Sequence, residues 1–119
     1  MTFGVGERSQ AIGKARPEGA ARTVEAMVAS AFAVASEALR APQRGPAAAA
    51  FARQVAIYLS HTRLGLSYTA AGAHFGRDRT TAAHACRRVE DKREDPAIDA
   101  IVDFLERAIE VCPGIAAGK

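Results

Sequence analysis

Tryptophan is absent from this 119-residue chain, and only five phenylalanines and two tyrosines supply aromatic bulk. A core without large rings is built from alanine and a few branched residues, and short side chains let helices approach closely. Alanine is also the strongest helix former, so propensity and packing agree on an all-α fold, a small helical bundle. Cysteine is scarce as well. Cys86 and Cys112 are too few for a disulfide framework and lack zinc-ligand spacing, which points to reduced, buried thiols. No run of 18 apolar residues occurs and the N-terminus lacks an apolar signal core, so the expectation is a soluble, cytoplasmic protein with no membrane partner. Paired carboxylates, metal motifs and nucleophile–base arrangements are also missing, which reads as a non-enzyme with no cofactor and no metal. Gly13-Lys14 is not a phosphate-binding loop, because Arg8 stands where its first glycine would fall and Ala15 follows the lysine.

Charge is present but unevenly placed. The net value is only +3, yet residues 40–93 carry ten basic side chains against three acids, an excess of seven. Residues 94–119 reverse the sign, with six acids against Arg107 and Lys119. A basic middle followed by an acidic end is the electrostatic footprint of a polyanion binder, although a solvated surface can show the same asymmetry.

At this length there is room for one domain. Residues 1–19 mix glycine, polar residues and a proline without helical periodicity and read as a flexible tail. Helical signals then run from about Ala20 to Phe32, with Val24, Met27, Val28 and Ala31 on one stripe, and a second short helix is expected over Ala33–Arg40. Two prolines and a glycine within 41–46 break the pattern. A third helix is expected from about Ala47 to Arg63, burying one face through Phe51, Val55, Tyr58 and Leu59. The domain is expected to close with an extra C-terminal helix, opened by Asp95-Pro96 as N-cap and first helical position and striped by Ile98, Ile101, Val102, Leu105 and Ile109. Pro113-Gly114 stops it, bounding a domain over 20–112 and a tail over 113–119.

Between the third and last helices lie the elements that carry chemistry. Ser67 suits the N-cap of a two-turn helix reaching His74, Phe75-Gly76-Arg77 makes a tight turn, and Asp78 caps a longer helix ending near Arg93. Ala82, Ala85, Cys86 and Val89 share one face of that helix, with Thr81, His84 and Arg88 opposite. A short helix, a glycine turn and a polar-faced second helix form the helix-turn-helix pattern, in which the second helix enters the major groove of duplex DNA. Arg77 and Arg79 can pair with guanine, Asp78 can accept from cytosine, and the methyls of Thr80 and Thr81 can pack on thymine. His84, Arg87 and Arg88 lie further along, within reach of phosphate oxygens, as do Arg53 and Gln54 on the third helix. For all of these the alternative is a capped helix whose charges are merely solvated.

Gly76-Arg77-Asp78-Arg79-Thr80-Thr81-Ala82-Ala83-His84-Ala85-Cys86-Arg87-Arg88-Val89 closely resembles the signature of the bacterial replication initiator DnaA family, GRDHTT followed by two apolar residues and HACRK. Ala52-Arg53-Gln54-Val55-Ala56-Ile57-Tyr58-Leu59 is similar to that family's ARQVAMYL helix, and residues 67–75 resemble its SLPEIGxxF segment. Phe32–Leu39 is similar to the family's YFGVSVEDLL stretch. The resemblance covers about residues 20–93, in order, and extends to the C-terminal DNA-binding domain (domain IV) only; the family's ATPase domain has no counterpart here. It implies a double-stranded DNA partner.

Three positions depart from the family. Arg79 stands where the family has histidine, one glycine of its FGGRD turn is missing, and Ala47 occupies about the place of the arginine sent into the minor groove, leaving Arg44 as the nearest candidate. The expectation is therefore a DNA-binding regulator of initiation or transcription, nucleoid-associated and without ATPase activity. The alternative is an interaction module that keeps the fold and binds the full-length initiator or its regulators.

Overall fold

The computed structural model describes residues 17–42 and 47–112. Six helices run through them: α1 (Pro17–Ala31), α2 (Ser36–Arg40), α3 (Ala47–Thr62), α4 (Tyr68–Ala73), α5 (Arg79–Lys92) and α6 (Pro96–Glu110). No strand occurs among the described residues, so the fold is all-α. Residues 1–16 of the expected 1–19 tail, the expected tail over 113–119, Arg44 and the Pro113-Gly114 stop lie outside the described residues, while residues 17–19 are helical.

α1 begins at Pro17, three residues earlier than the periodicity suggested, because proline fits a first helical turn whose amides have no helical partner. Its end also differs. The Val34 amide donates to the Ala29 carbonyl at 2.9 Å and the Ala33 amide to that of Ser30 at 3.2 Å, with Ala33 at φ 56°. This is a Schellman reversal with alanine in the left-handed position that usually takes glycine. Residues 32–35 are consequently not helical, and α2 starts at Ser36 rather than Ala33.

α3 is the hub, packed against α1, α2, α4 and α5. Every residue from Val55 to Ser60 is buried, so the single apolar face expected of this helix is instead an almost fully enclosed segment. Ala52 and Ala56 are wholly buried, and their small side chains permit that enclosure. Phe51 remains half-buried and meets Phe32 edge-on, with centroids 5.7 Å apart, which pins the reversal after α1 to the start of α3.

α6 buries Val102, Leu105 and Ile109 and packs on α1. Asp95 caps it by accepting from the Ala97 amide at 2.9 Å, with Pro96 at the first position, as expected. No helix among the described residues is long and apolar enough to cross a membrane.

Candidate nucleic-acid interface

Ser67 opens α4 by accepting from the Ala70 amide at 3.0 Å. The chain then turns through Phe75, whose ring is fully buried and whose burial contributes roughly 2–3 kcal/mol, and through Gly76 at φ 68°. Asp78 opens α5, its Oδ1 accepting from the Thr81 amide at 2.8 Å. That bond and one from the Thr81 hydroxyl hold the Asp78 carboxyl below the usual carboxylate range, so it is ionised at neutral pH.

The two glycines of this unit do different things. Gly76 supplies a positive φ with open space around it. Gly72, inside α4, supplies closeness: a Cβ there would sit 2.7 Å from the Arg77 carbonyl oxygen and 3.1 Å from Ala82 Cβ. The α4–α5 approach depends on it, and neither helical periodicity nor turn chemistry marks it out.

α5 buries Ala82, Ala85, Cys86 and Val89 and exposes Arg79, Thr80, Thr81, His84, Arg87, Arg88 and Lys92. The two faces fall as the spacing required. Burial, reinforced by Glu90, pushes the Cys86 thiol up to about 11, which leaves it an inert packing group. Beside the exposed face lies a concavity of about 610 Å³ whose lining includes Arg53, Gln54, Arg77, Thr81, His84 and Arg88. Gln54 Oε1 is buried there without a hydrogen-bond partner.

Structure sorts the basic residues that sequence could only count. Arg79, Arg87, Arg88 and Lys92 are exposed, with no carboxylate partner among the described residues. Arg40 instead pairs with the buried Glu25 at 2.8 Å, and His74 donates to the same carboxylate at 2.8 Å. Burial alone would raise the Glu25 pKa; the hydrogen bonds from Arg40 and His74 outweigh it and leave the carboxyl below its ordinary value. Arg63 reaches Glu106 and Glu110, and Arg93 is held by Asp99 at 2.6 Å, Glu106 at 2.9 Å and the Tyr58 hydroxyl at 3.2 Å. Burial lowers the Arg93 pKa, but the hydrogen bonds to these partners outweigh it and leave the pKa raised.

Arg53 and Arg77 depart most from the sequence expectation. Arg53 is buried, with its Nε donating to the Leu39 carbonyl at 2.9 Å. Its pKa is lowered, first by burial and then by the charge of Arg77. Arg77 donates from Nη1 to the Phe75 carbonyl at 2.8 Å and from Nη2 to the Ala41 carbonyl at 3.0 Å. The paired nitrogens expected to meet guanine are therefore engaged with backbone.

A short helix and a capped, polar-faced helix meeting across a close glycine contact are the geometry of a helix-turn-helix. The family model for the bacterial dnaA protein helix-turn-helix matches residues 21–89, more than half of the chain. The chain belongs to this family. The match takes in all of α2, α3 and α4 and most of α5, so the DnaA-type unit includes the bracing helices as well as the recognition helix.

The chain is 34% identical over 88 residues to the chromosomal replication initiator protein DnaA of Lactococcus lactis subsp. cremoris (strain MG1363), an alignment covering 72% of this chain and 19% of that protein. With the initiator protein DnaA 2 of Chlamydia trachomatis serovar D it shares 35% identity over 85 residues, or 71% of this chain and 17% of the relative. With DnaA of Lachnoclostridium phytofermentans it shares 38% over 66 residues, or 54% and 15%. The chain thus spans less than a fifth of the length of these curated relatives.

Proposed function

We propose that this chain is a sequence-specific duplex DNA-binding protein, inserting the first turn of α5 into the major groove at sites like those the replication initiator binds. The observation that carries this reading is the exposed set Arg79, Arg87, Arg88 and Lys92, without a carboxylate partner among the described residues, on one helix of a DnaA-type helix-turn-helix. Four exposed cations on one helix, outnumbering the exposed Glu90 and Asp91, are what a phosphate backbone attracts.

Asp78, Thr80 and Thr81 join Arg79 at the groove end of α5, suited to cytosine N4 and thymine methyls. His84, Arg87 and Arg88 would meet phosphate oxygens, beside the concavity that Arg53, Gln54 and Arg77 also line. Arg44 would serve the minor groove. Such a protein acts in the cytoplasm, on the nucleoid, and tunes initiation or transcription by occupying sites in competition or cooperation with the full-length initiator. Binding alone suffices for that role, without ATP hydrolysis.

A gel-shift titration with initiator-box duplex against scrambled duplex tests the proposal. Tighter binding of the box duplex is the expected result; equal affinity, or none, contradicts it and favours an interaction module that modulates the initiator through protein contacts.

A further inference from the structure

We propose that the two arginines flanking Asp78 have separate duties: Arg79 selects a guanine in the major groove, and Arg77 is a positioning residue that sets the angle of the recognition helix. This rests on the DNA-binding reading above and deepens it.

The distinction comes from what each guanidinium touches. Recognition of guanine uses two adjacent N–H groups directed at O6 and N7. In Arg77 both terminal nitrogens are already on backbone carbonyls, those of Phe75 and Ala41, and the side chain is half-buried. Withdrawing them for a base would leave both carbonyls short of a donor. The Ala41 contact is the informative one, because it spans 36 residues of sequence and ties the residue after α2 to the turn before α5. Arg53 reinforces the same junction from α3 through the Leu39 carbonyl. The Arg77 guanidinium thus fastens the residue after α2 to the turn that aims α5, while Arg53 holds the end of α2 to α3.

Arg79 has the opposite situation. It is the first residue of α5, exposed, and without a partner among the described residues. It does not line the cationic concavity that contains Arg87 and Arg88, where a phosphate would sit. A planar, permanently charged fork on the first turn of a recognition helix, away from the phosphate-facing side, matches a guanine edge. Asp78 keeps its neighbour in place, since its carboxylate caps the same turn.

The test is selection from a randomised 20-base-pair duplex pool (about two helical turns) by wild type, Arg79→Ala and Arg77→Lys. Each protein's folded fraction is checked by circular dichroism, and affinity is then measured for the wild-type consensus and for a non-selected duplex. Arg79→Ala is expected to lose preference for guanine at one position, a collapse of about 5- to 150-fold in discrimination there. Arg77→Lys, which keeps the charge but cannot span both carbonyls, is expected to select the same sequence with a smaller ratio of selected to non-selected affinity. Failure of wild type to bind any duplex overturns the DNA-binding reading itself. Three results overturn only the division of duties. One is Arg79→Ala selecting an unchanged consensus with a salt slope shallower by about 0.9, the mark of a phosphate contact. Another is Arg77→Lys erasing a guanine at one position. The last is Arg77→Lys weakening both duplexes only in step with its folded fraction.

Discussion

α5 and α6 are successive helices of opposite charge, and they use their charged residues in opposite ways. α5 buries an apolar face and leaves Arg79, Arg87, Arg88 and Lys92 exposed. α6 directs Asp99, Glu106 and Glu110 toward arginines of other segments, Arg63 just after α3 and Arg93 just after α5. The acidic helix therefore takes Arg63 and Arg93 out of the set a ligand could meet, while Arg79, Arg87, Arg88 and Lys92 stay exposed on α5. A sequence excess of seven positive charges overstates what a ligand meets. Charges on α5 should govern binding and leave stability alone; those around α6 should do the reverse.

The strongest challenge to that contrast is Arg93→Ala. Glu106 is buried, and losing Arg93 leaves it only the longer 3.5 Å contact to Arg63. A loss of about 2–4 kcal/mol in unfolding free energy is expected, since stranding a buried carboxylate is costly and Arg63 offsets only part of it. Urea denaturation gives the number, and DNA affinity of the folded fraction should barely change.

Gly72→Ala probes the junction between the two behaviours, because it pushes α4 off α5. With a Cβ 2.7 Å from a backbone oxygen something must move, and a loss of about 1–3 kcal/mol is expected from overpacking. Unlike Arg93→Ala, it should also weaken specific duplex binding per folded molecule, measured by anisotropy, because the recognition helix is re-aimed.

Acid separates interior from exposed charge in another way. The Glu25 pKa is lowered in the folded state, so its ionic cluster contributes stability that is fully present above the ordinary carboxylate pKa and is lost as pH falls through the lowered value. Glu25→Gln should flatten the acid limb of a stability-against-pH curve, while substitutions of Arg87 or Arg88 should leave that limb unchanged.

Smallest is Ala33→Gly, in the reversal after α1. Alanine at φ 56° is strained and its side chain is exposed, so glycine should raise stability by about 0.5–1 kcal/mol, read as a higher melting temperature, with binding unaltered.

Ala33 also shows where the sequence stops being informative. Ser67, Asp78 and Asp95 announced helix starts because capping is a local interaction between a side chain and an amide two or three residues on. The end of α1 was hidden because the left-handed residue that marks it is an alanine, a helix former. The Ala41, Leu39 and Glu106 partners of Arg77, Arg53 and Arg93 were hidden for a different reason: each lies on another segment, up to 36 residues away, and spacing along one helix carries no information about them. The exposed side of α5 was legible because helical periodicity alone separates Thr81, His84 and Arg88 from Ala82, Ala85 and Val89.

The contrast between the two helices is tested most directly by the salt dependence of duplex binding. Arg87, Arg88 and Lys92, the exposed α5 cations other than the proposed guanine reader Arg79, give an expected slope of log K against log salt of roughly −2.7 at about 0.9 per phosphate. The double substitution Arg87→Ala, Arg88→Ala should make that slope shallower by about 1.8 while leaving unfolding free energy within about 0.5 kcal/mol of wild type. A wild-type slope near zero, or a double variant with unchanged slope and lowered stability, would contradict the assignment of α5 as the DNA-facing helix.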